Sequence, residues 1–310
     1  MNKKTYLIEK AEKGLTIQQY LKQIAGFSNA QIRSMKFTEN GICLGGQRAR
    51  VTTRLSEGDV LEVLLETKNS SSAHLLSFEQ MPDILYEDAD VIAVNKPAGM
   101  AVHPSHGHYQ DTLANQLAYY FRKNTQQVEI HNIGRLDLET SGIVLFAKHR
   151  AAAARLSRQR EDGRLQKTYL AICSGIFAEK NGTLNGAIAP LPGSLMKMCV
   201  SKDGKPAVTH YQVQKQYMEA ALVQLTLETG RTHQIRVHMA DAGHPLIGDR
   251  LYFADTDQKA DVDAENCFTG IKRAALHASR ICFYQPFEGK RITVEAPFPE
   301  DMKKCLFRDE

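Results

Sequence analysis

One short stretch of the sequence gathers the side chains with the most chemical potential. Residues 131–149, HNIGRLDLETSGIVLFAKH, contain Arg135, Asp137 and Glu139 and continue into the apolar run at 143–147. A polar stretch ending in Ser-Gly before a β-branched run is typical of a loop that leads into a buried strand. A rigid scaffold often holds functional groups on such loops. On local grounds alone, an ordinary ion pair between Arg135 and Asp137, or a turn capped by Asp137, is the more frequent explanation.

A predicted helix further along the chain adds two arginines. In TGRTHQIRVHMADAGHPLIGD, one face of the predicted helix is formed by residues at i, i+3, i+4 and i+7. They are Ile235, His238, Met239 and Ala242, and we call this face the buried stripe. Thr232 is the predicted N-cap, and Gly243 marks the helix end. Arg231 then precedes the first turn. Arg236 lies beside the buried stripe, from which its guanidinium group can extend from the core edge into a cleft.

The motifs that the sequence lacks exclude several classes of protein. No P-loop, G-x-G-x-x-G, G-x-S-x-G or H-E-x-x-H segment is present, which argues against a nucleotide cofactor, a serine hydrolase and a zinc enzyme. The six cysteines are scattered without a C-x-x-C pair. This spacing suggests neither a zinc site nor a disulfide framework and fits a reducing compartment.

Two segments resemble metal-binding sequences only in part. The loop NKPAGMAVHPSHGH contains three histidines, His103, His106 and His108, without a nearby ligand to complete a first shell. A loop over a polar ligand is the better explanation of this segment. The acidic segment 254–268 lacks the glycine of an EF-hand and reads as a surface insertion. We therefore expect no metal site.

Length and composition predict a two-domain protein with a real core. The chain has 310 residues, of which 43% are hydrophobic, and a net charge of +4 that permits a nucleic-acid partner. No apolar run approaches the roughly 20 residues of a membrane helix, and the N-terminus lacks the apolar region of a secretory signal. We expect a soluble, cytoplasmic monomer.

Turn and linker signals divide the chain at two places. Residues 1–66 combine two helical patterns, the second capped by Ser28, with short strands separated by glycine turns. Residues 67–82 carry a serine run and read as a linker. Residues 83–310 form the second domain. Its predicted elements include a strand at 91–94, a helix at 111–121 capped by Asp111, a strand at 167–173 with Lys167 and Tyr169, and a hairpin within 208–229. A tyrosine in a strand usually belongs to the core.

The first domain is basic and has a recognisable pattern. Residues 1–66 hold ten Lys or Arg against seven Asp or Glu. The Phe-Ser before the second helix, the Gly-Ile-x-Leu strand and the final Glu-Gly-Asp turn resemble the small RNA-binding module named after ribosomal protein S-four. In that family the second helix and the following loop meet RNA phosphates. The resemblance therefore implies RNA contacts at Arg33, Lys36, Arg48 and Arg50.

The second domain resembles the RluA-like family of pseudouridine synthases. GRLDLETSGIVLFAK, VNKPAGMAVHP, KTYLAICSG, TGRTHQIRVHMADAGHPLIGD and ALHASRICF are similar to the family's motifs. The resemblance covers about residues 90–298. It implies an α+β fold with a mixed, mostly antiparallel central sheet. It also implies an isomerase that converts uridine in RNA to its carbon-glycoside without cofactor or metal.

The same resemblance assigns roles to individual residues. Asp137 is implied as the catalytic carboxylate, and Arg236 as the cation that keeps it ionised from within about 4–6 Å. Tyr169 is expected against the uracil face, the third member of the catalytic group. Substrate-binding roles are implied for Arg135, which would hold the RNA after the uridine is flipped out, and for Ile235, Lys167 and Arg231. Many family members carry histidine before Arg-Leu-Asp, where this chain has Gly134.

Two other functions compete with this interpretation. A non-catalytic RNA-binding or ribosome-assembly protein needs basic and stacking residues, but no buried acid. A hydrolase would need a histidine placed to activate water beside Asp137, and the motifs supply none with a clear partner. We therefore expect a pseudouridine synthase. The N-terminal RNA-binding module favours large-subunit ribosomal RNA as its substrate, and transfer RNA stays open.

Overall fold

A small antiparallel sheet forms the N-terminal part of the molecule. The computed structural model describes residues 3–65, 75–105, 107–126, 128–253 and 271–306. Four strands are arranged in the order β1-β4-β2-β3, with two helices packed on them. The bounds are β1 Lys3–Leu7, α1 Ile17–Gln23, α2 Asn29–Phe37, β2 Ile42–Leu44, β3 Gln47–Arg48 and β4 Val60–Leu64. Thr16 and Ser28 cap the helices through capping boxes, so the N-cap predicted at Ser28 is confirmed.

A ten-stranded sheet forms the body of the protein. Its main path runs β10-β13-β14-β9-β15-β8-β6-β5, while β16 pairs with β15 and β7 with β8. The strands are β5 Asp83–Glu87, β6 Val91–Lys96, β7 His131–Ile133, β8 Ser141–Ala147, β9 Gln166–Ser174, β10 Asn181–Asn185, β13 Val208–Gln216, β14 Ala220–Leu227, β15 Leu276–Tyr284 and β16 Arg291–Glu295. Strands β11 (Ile188–Pro190) and β12 (Met198–Val200) form a separate hairpin. Only the pair β8 and β15 is parallel in the described sheet, which confirms the mixed, mostly antiparallel α+β fold.

Helices cover both faces of this sheet and enclose a separate apolar cluster on each. They are α3 Leu113–Lys123, α4 Arg150–Glu161, α5 Gln234–Asp241 and α6 Glu300–Leu306. Strand β8 alternates between the two faces, because successive side chains of a strand point in opposite directions. Val144 and Phe146 pack in the cluster with α3 and α5, whereas Ile143 and Leu145 pack with α4. Every residue of β8 is therefore buried.

Two predicted helix caps were wrong by one residue. The N-cap of α3 is Thr112, whose hydroxyl group accepts the backbone N–H of Asn115, and Asp111 instead pairs with His108 at 2.7 Å. The N-cap of α5 is His233 rather than Thr232, in a left-handed conformation with φ of 55° and without a side-chain cap. In α3, Thr112 rather than Asp111 is the N-cap because Asn115 completes a capping box with Thr112.

The N-terminal part is attached to the large sheet through Arg155 on α4. Its guanidinium carbon lies 5.0 Å from the ring centre of Phe27 and 3.9 Å from that of Phe287. Its Nη1 donates a hydrogen bond of 2.7 Å to the carbonyl of Pro286. Beyond the undescribed residues 66–74, Leu75 is buried in the core of the large sheet. The boundaries predicted at 66 and 82 remain predictions.

His277 makes the stability of the sheet dependent on pH. It lies on β15 with 1% of its surface exposed, and its Nδ1 is 2.9 Å from the hydroxyl oxygen of Ser141 on β8. Its Nε2 is buried as well. Burial, reinforced by the charge of Arg273, lowers the pKa of His277 from 6.5 to about 4. As the pH falls, the unfolded chain therefore binds a proton at this histidine before the folded chain does.

We expect the free energy of unfolding to decrease as the pH falls from about 6.5 towards the folded pKa of about 4. His277→Leu should flatten this part of the profile, because it removes the group that only the unfolded chain protonates there. Urea titrations of both proteins between pH 4 and 8 measure the effect. Parallel profiles through that window would show that other groups cause the acid sensitivity.

Candidate active site

Asp137 lies in the loop between β7 and β8, which is fixed by a core contact and a backbone hydrogen bond. Leu136 before it is buried in the core, and the carbonyl of Asp137 accepts the N–H of Thr140 at 3.1 Å. The side chain of Asp137 is half-buried. Its carboxylate forms no hydrogen bond and no ion pair with another described residue, and it is therefore available to a ligand.

Arg236 lies deeper than predicted and is held by another acid. It was expected at the core edge, reaching into a cleft, but only 3% of its surface is exposed. Its Nε and Nη2 each donate a hydrogen bond of 2.7 Å to the two carboxylate oxygens of Asp249, which is fully buried. Oε2 of Glu139 lies 3.7 Å from Nη2 of Arg236. No ion pair within 4.0 Å joins Arg236 to Asp137 among the described residues.

The charge of Asp137 nevertheless acts on Arg236. Burial on its own would lower the pKa of Arg236, but the hydrogen bonds and charge of Asp249 and the charges of Asp137 and Glu139 raise it further than burial lowers it. The guanidinium group is thus a permanent cation. It faces three carboxylates, of which only Asp137 has no partner of its own.

The charge of Asp137 also acts on Tyr169. It lies on β9 with 8% of its surface exposed and packs in the core cluster that also contains Leu136 and Ile235. Burial, reinforced by the charge of Asp137, raises the pKa of Tyr169 well above its usual value. The phenol is therefore a neutral, flat surface next to an anion.

His233 and Tyr252 complete the surroundings of Asp137. His233 Nδ1 is 2.8 Å from the hydroxyl oxygen of Tyr252, which also accepts the N–H of Met198 at 2.9 Å. The guanidinium carbon of Arg236 lies 5.2 Å from the ring centre of Tyr252. Burial lowers the pKa of His233, against the opposing charge of Asp137. The charge of Asp137 thus acts on a neutral imidazole, on the phenol of Tyr252 and on a buried cation.

Comparisons with known proteins identify the family. A model of the RNA pseudouridylate synthases matches residues 90–241. Over 293 residues, the chain is 36% identical to an uncharacterised RNA pseudouridine synthase of Bacillus subtilis, YjbO, with 94% of this chain and 98% of that protein covered. The chain belongs to the RNA pseudouridine synthases. The predicted family and its isomerase activity are thereby confirmed.

Two further proteins are similar to this chain, one in sequence and one in fold. The ribosomal large subunit pseudouridine synthase D of Neisseria meningitidis serogroup A is 38% identical over 267 residues, which cover 85% of this chain and 67% of that protein. The solved structure of human RNA pseudouridylate synthase domain containing 1 has a TM-score of 0.57 and 27% identity. The match covers 77% of this chain and 90% of that chain.

The remaining site residues implied by the resemblance lie in different surroundings. Ile235 is buried in the same core cluster as Tyr169. Lys167 is half-buried on β9, with its Nζ 3.5 Å from the carbonyl of Ile143. Arg135 is exposed, one residue from the buried Leu136. Arg231 is exposed and donates to the carbonyl of Pro206 at 3.0 Å. No hydrogen bond or ion pair links Arg231 to the group around Asp137 within the described ranges.

The basic residues of the N-terminal sheet form one exposed group. Arg33 and Lys36 follow each other by three residues on α2, which places them on the same helix face. Arg48 on β3 donates to the carbonyl of Lys36 at 3.2 Å, and Arg50 is exposed nearby in sequence. The exposed ring of Phe37 lies beside Lys36. Their role in RNA binding remains a prediction.

The structure bears on the metal and membrane predictions only for the residues that it describes. Within the described ranges, no group of three or more His, Cys, Asp or Glu side chains is arranged to hold a metal ion. His106 and the acidic segment 254–268 lie outside those ranges. The described helices also include none that is long and apolar enough to cross a membrane.

Sequence reasoning missed Lys96, which supports the Asp137 loop from below. This lysine is fully buried at the end of β6. Its Nζ donates to the carbonyls of Pro97, Met100 and Leu138 at 2.9, 2.8 and 3.1 Å. Burial and the charge of Arg273 lower the pKa of Lys96 to about 7, against the opposing charge of Asp137. The only signal in the sequence was a lysine directly after an apolar strand.

Replacing this lysine should slow pseudouridine formation. We expect Lys96→Met to lower the rate per folded molecule about 100-fold, because a displaced loop misplaces the carboxylate of Asp137. The free energy of unfolding should fall by about 2–3 kcal/mol, since three carbonyls lose a charged donor. Single-turnover assays and urea titrations measure both quantities.

A second lysine provides the control. Lys148 is half-buried and, like Lys96, donates hydrogen bonds, here to Glu87 and to the carbonyl of Asp88 away from the loop. Lys148→Met should cost stability and leave the rate per folded molecule within about twofold. Equal losses of rate in the two variants would show that Lys96 acts only through general stability.

Proposed function

We propose that this synthase isomerises uridines of large-subunit ribosomal RNA, with Asp137 as the catalytic carboxylate. The observation that supports this role is the unpartnered state of Asp137. Glu139 and Asp249 are both engaged with Arg236, whereas the carboxylate of Asp137 has no described partner. A carboxylate without a structural task, whose charge acts on a buried cation and on a buried tyrosine, is suited to act on a substrate.

The reaction needs few groups because it exchanges one bond for another. The bond between uracil N1 and ribose C1′ breaks, the base turns, and a bond forms between C5 and C1′. C5 then releases its proton while N1 takes one up, so that the composition of the RNA is unchanged. No oxidant, reductant or nucleotide is consumed.

Each neighbour of Asp137 has a task in this scheme. The carboxylate acts on the reacting nucleotide, and the buried cation Arg236 offsets its negative charge at close range. Tyr169 receives the flat face of the uracil, and Ile235 packs beneath it. Arg135 is exposed at the loop, where its guanidinium can hold the RNA after the uridine leaves the stack.

The choice of RNA rests on a relative and on the N-terminal group of cations. The relative of Neisseria meningitidis is named a ribosomal large subunit synthase and matches 85% of this chain. The exposed Arg33, Lys36, Arg48 and Arg50 offer phosphate contacts at a distance from the candidate site. Such contacts suit a large, folded RNA better than a short one.

Tritium release tests the proposal. RNA labelled at uracil C5 releases tritium only when C5 is rebonded. We expect release from unmodified large-subunit ribosomal RNA and little from bulk transfer RNA. Release from transfer RNA alone would correct the RNA class. Tight binding without release from either RNA would favour the non-catalytic RNA-binding protein.

A further inference from the structure

An arginine from another element fills the space next to Gly134. Gly134 immediately precedes Arg135 and has a left-handed φ of 77°. A Cβ built at this position would meet one side chain within 4 Å, the guanidinium group of Arg160, at 3.6 Å from its Nη1. The cation therefore lies in van der Waals contact with the point where a side chain at position 134 would begin, two peptide bonds before Leu136.

The helix places Arg160 there for a packing reason. Leu156 on α4 is fully buried and shares its cluster with Ile133, the residue before Gly134. Arg160 follows Leu156 by four residues, and side chains at i and i+4 lie on the same helix face. Burial of Leu156 against β7 thus directs Arg160 to the start of the Asp137 loop.

Arg160 has no partner in the described protein. Its side chain is exposed, and it forms no hydrogen bond or ion pair with another described residue. Its positive charge reaches Lys167, because burial and Arg160 together lower the pKa of that lysine to about 8. Arg135 is exposed on the other side of Gly134. Arg160 at Gly134, Arg135 in the loop and Lys167 at Ile143 are thus three cations in or near the segment 134–143, and none of them has an ion-pair partner within the described ranges.

We propose that Arg160 binds a phosphate group of the substrate RNA beside the target nucleotide. The proposal rests on the proposed function, because Arg160 lies beside Gly134, three residues before the proposed catalytic Asp137. A guanidinium group forms paired hydrogen bonds with phosphate oxygens, and a like-charged group of three favours a polyanion. Lys167, whose Nζ lies 3.5 Å from the carbonyl of Ile143, adds positive charge to this site.

Helix stability offers a competing explanation for this arginine. A cation in the last turn of a helix is favoured by the helix dipole, and α4 has two, Arg158 and Arg160. The two differ in direction, since residues two apart point to nearly opposite sides of a helix. Arg158 is therefore a matched control, with the same turn, the same exposure class and the same charge.

The test compares Arg160→Gln, Arg160→Lys and Arg158→Gln with the intact protein. The probe is an unmodified in vitro transcript of large-subunit ribosomal RNA. Its equilibrium binding is measured between 50 and 300 mM potassium chloride, about the range in which phosphate contacts weaken strongly. Tritium release at subsaturating protein is measured on the same transcript, and thermal unfolding confirms that all variants fold.

We expect Arg160→Gln to weaken binding about tenfold, as loss of a charge-assisted hydrogen bond does. The slope of log K against log salt should decrease by about 0.7–0.9, the value for one phosphate contact. Arg160→Lys should keep the slope, and Arg158→Gln should keep both quantities.

Equal behaviour of Arg160→Gln and Arg158→Gln overturns the proposal and leaves the helix dipole as the explanation. The proposed function fails in a different way, when the intact protein releases no tritium. The salt slopes of the two Gln variants then still decide whether Arg160 contacts a phosphate.

Discussion

Asp137→Asn is expected to abolish pseudouridine formation while leaving the fold intact. The amide has the shape of the carboxylate, but it carries no charge and is a far weaker base and nucleophile. Because Asp137 has no described partner, its replacement breaks no ion pair. We therefore expect the single-turnover rate to fall by about 10⁴-fold or more. The free energy of unfolding should change by less than about 0.5 kcal/mol.

The neighbouring acid provides the control for this variant. Glu139 lies in the same loop, but its Oε2 accepts the N–H of Ala274 at 3.2 Å and lies 3.7 Å from Arg236. Glu139→Gln keeps an oxygen acceptor and removes the same charge, so we expect a loss below about tenfold. Activity retained by Asp137→Asn, or abolished equally by Glu139→Gln, would transfer the catalytic role away from Asp137.

Elements set by local patterns could be predicted from the sequence. The alternation in 208–229 predicted the hairpin of β13 and β14, which the structure confirms with a break at 217–219. The cap of α3 shows the limit of such patterns, because Asp111 and Thr112 are both good caps. Only the reciprocal bond with Asn115 selects Thr112, and that bond depends on the exact start of the helix.

Long-range partners could not be predicted from local patterns. The parallel pair of β8 and β15 joins Ser141 to His277, and nothing near either residue indicates the other. The burial of Arg236 has the same origin. Helical spacing placed it beside the apolar stripe, but its depth depends on Asp249, which a turn brings back against α5. A buried arginine needs such an acid.

The candidate site combines both kinds of information. The loop of Asp137 could be located because it precedes an obvious strand, and the resemblance to the family's motif then assigned the role to Asp137. Lys96 could not, because its three acceptors are backbone carbonyls, and carbonyls leave no trace in the residue types. Arg160 lies near Gly134 only because Leu156 is buried against Ile133. Residues that support the loop from other elements therefore became visible only in the structure.

Removal of Asp249 is expected to have the largest effect on stability. Asp249→Ala leaves the guanidinium group of Arg236 buried without its bidentate partner, and Glu139 at 3.7 Å compensates only in part. We expect a loss of about 3–5 kcal/mol in the free energy of unfolding, as for other buried pairs that lose one member. Urea titration measures it, and a loss below about 1 kcal/mol would show that Arg236 finds another partner.

A double variant separates the structural role of the pair from its role at the site. Arg236→Met with Asp249→Leu replaces two buried charges by apolar groups, which often restores the stability that a half-broken pair loses. Its rate should nevertheless stay about 10²–10³-fold below that of the intact protein, because the cation facing Asp137 is gone. If stability and rate recover together, the pair only holds α5 in place. If stability recovers and the rate does not, the cation itself takes part in the chemistry at Asp137.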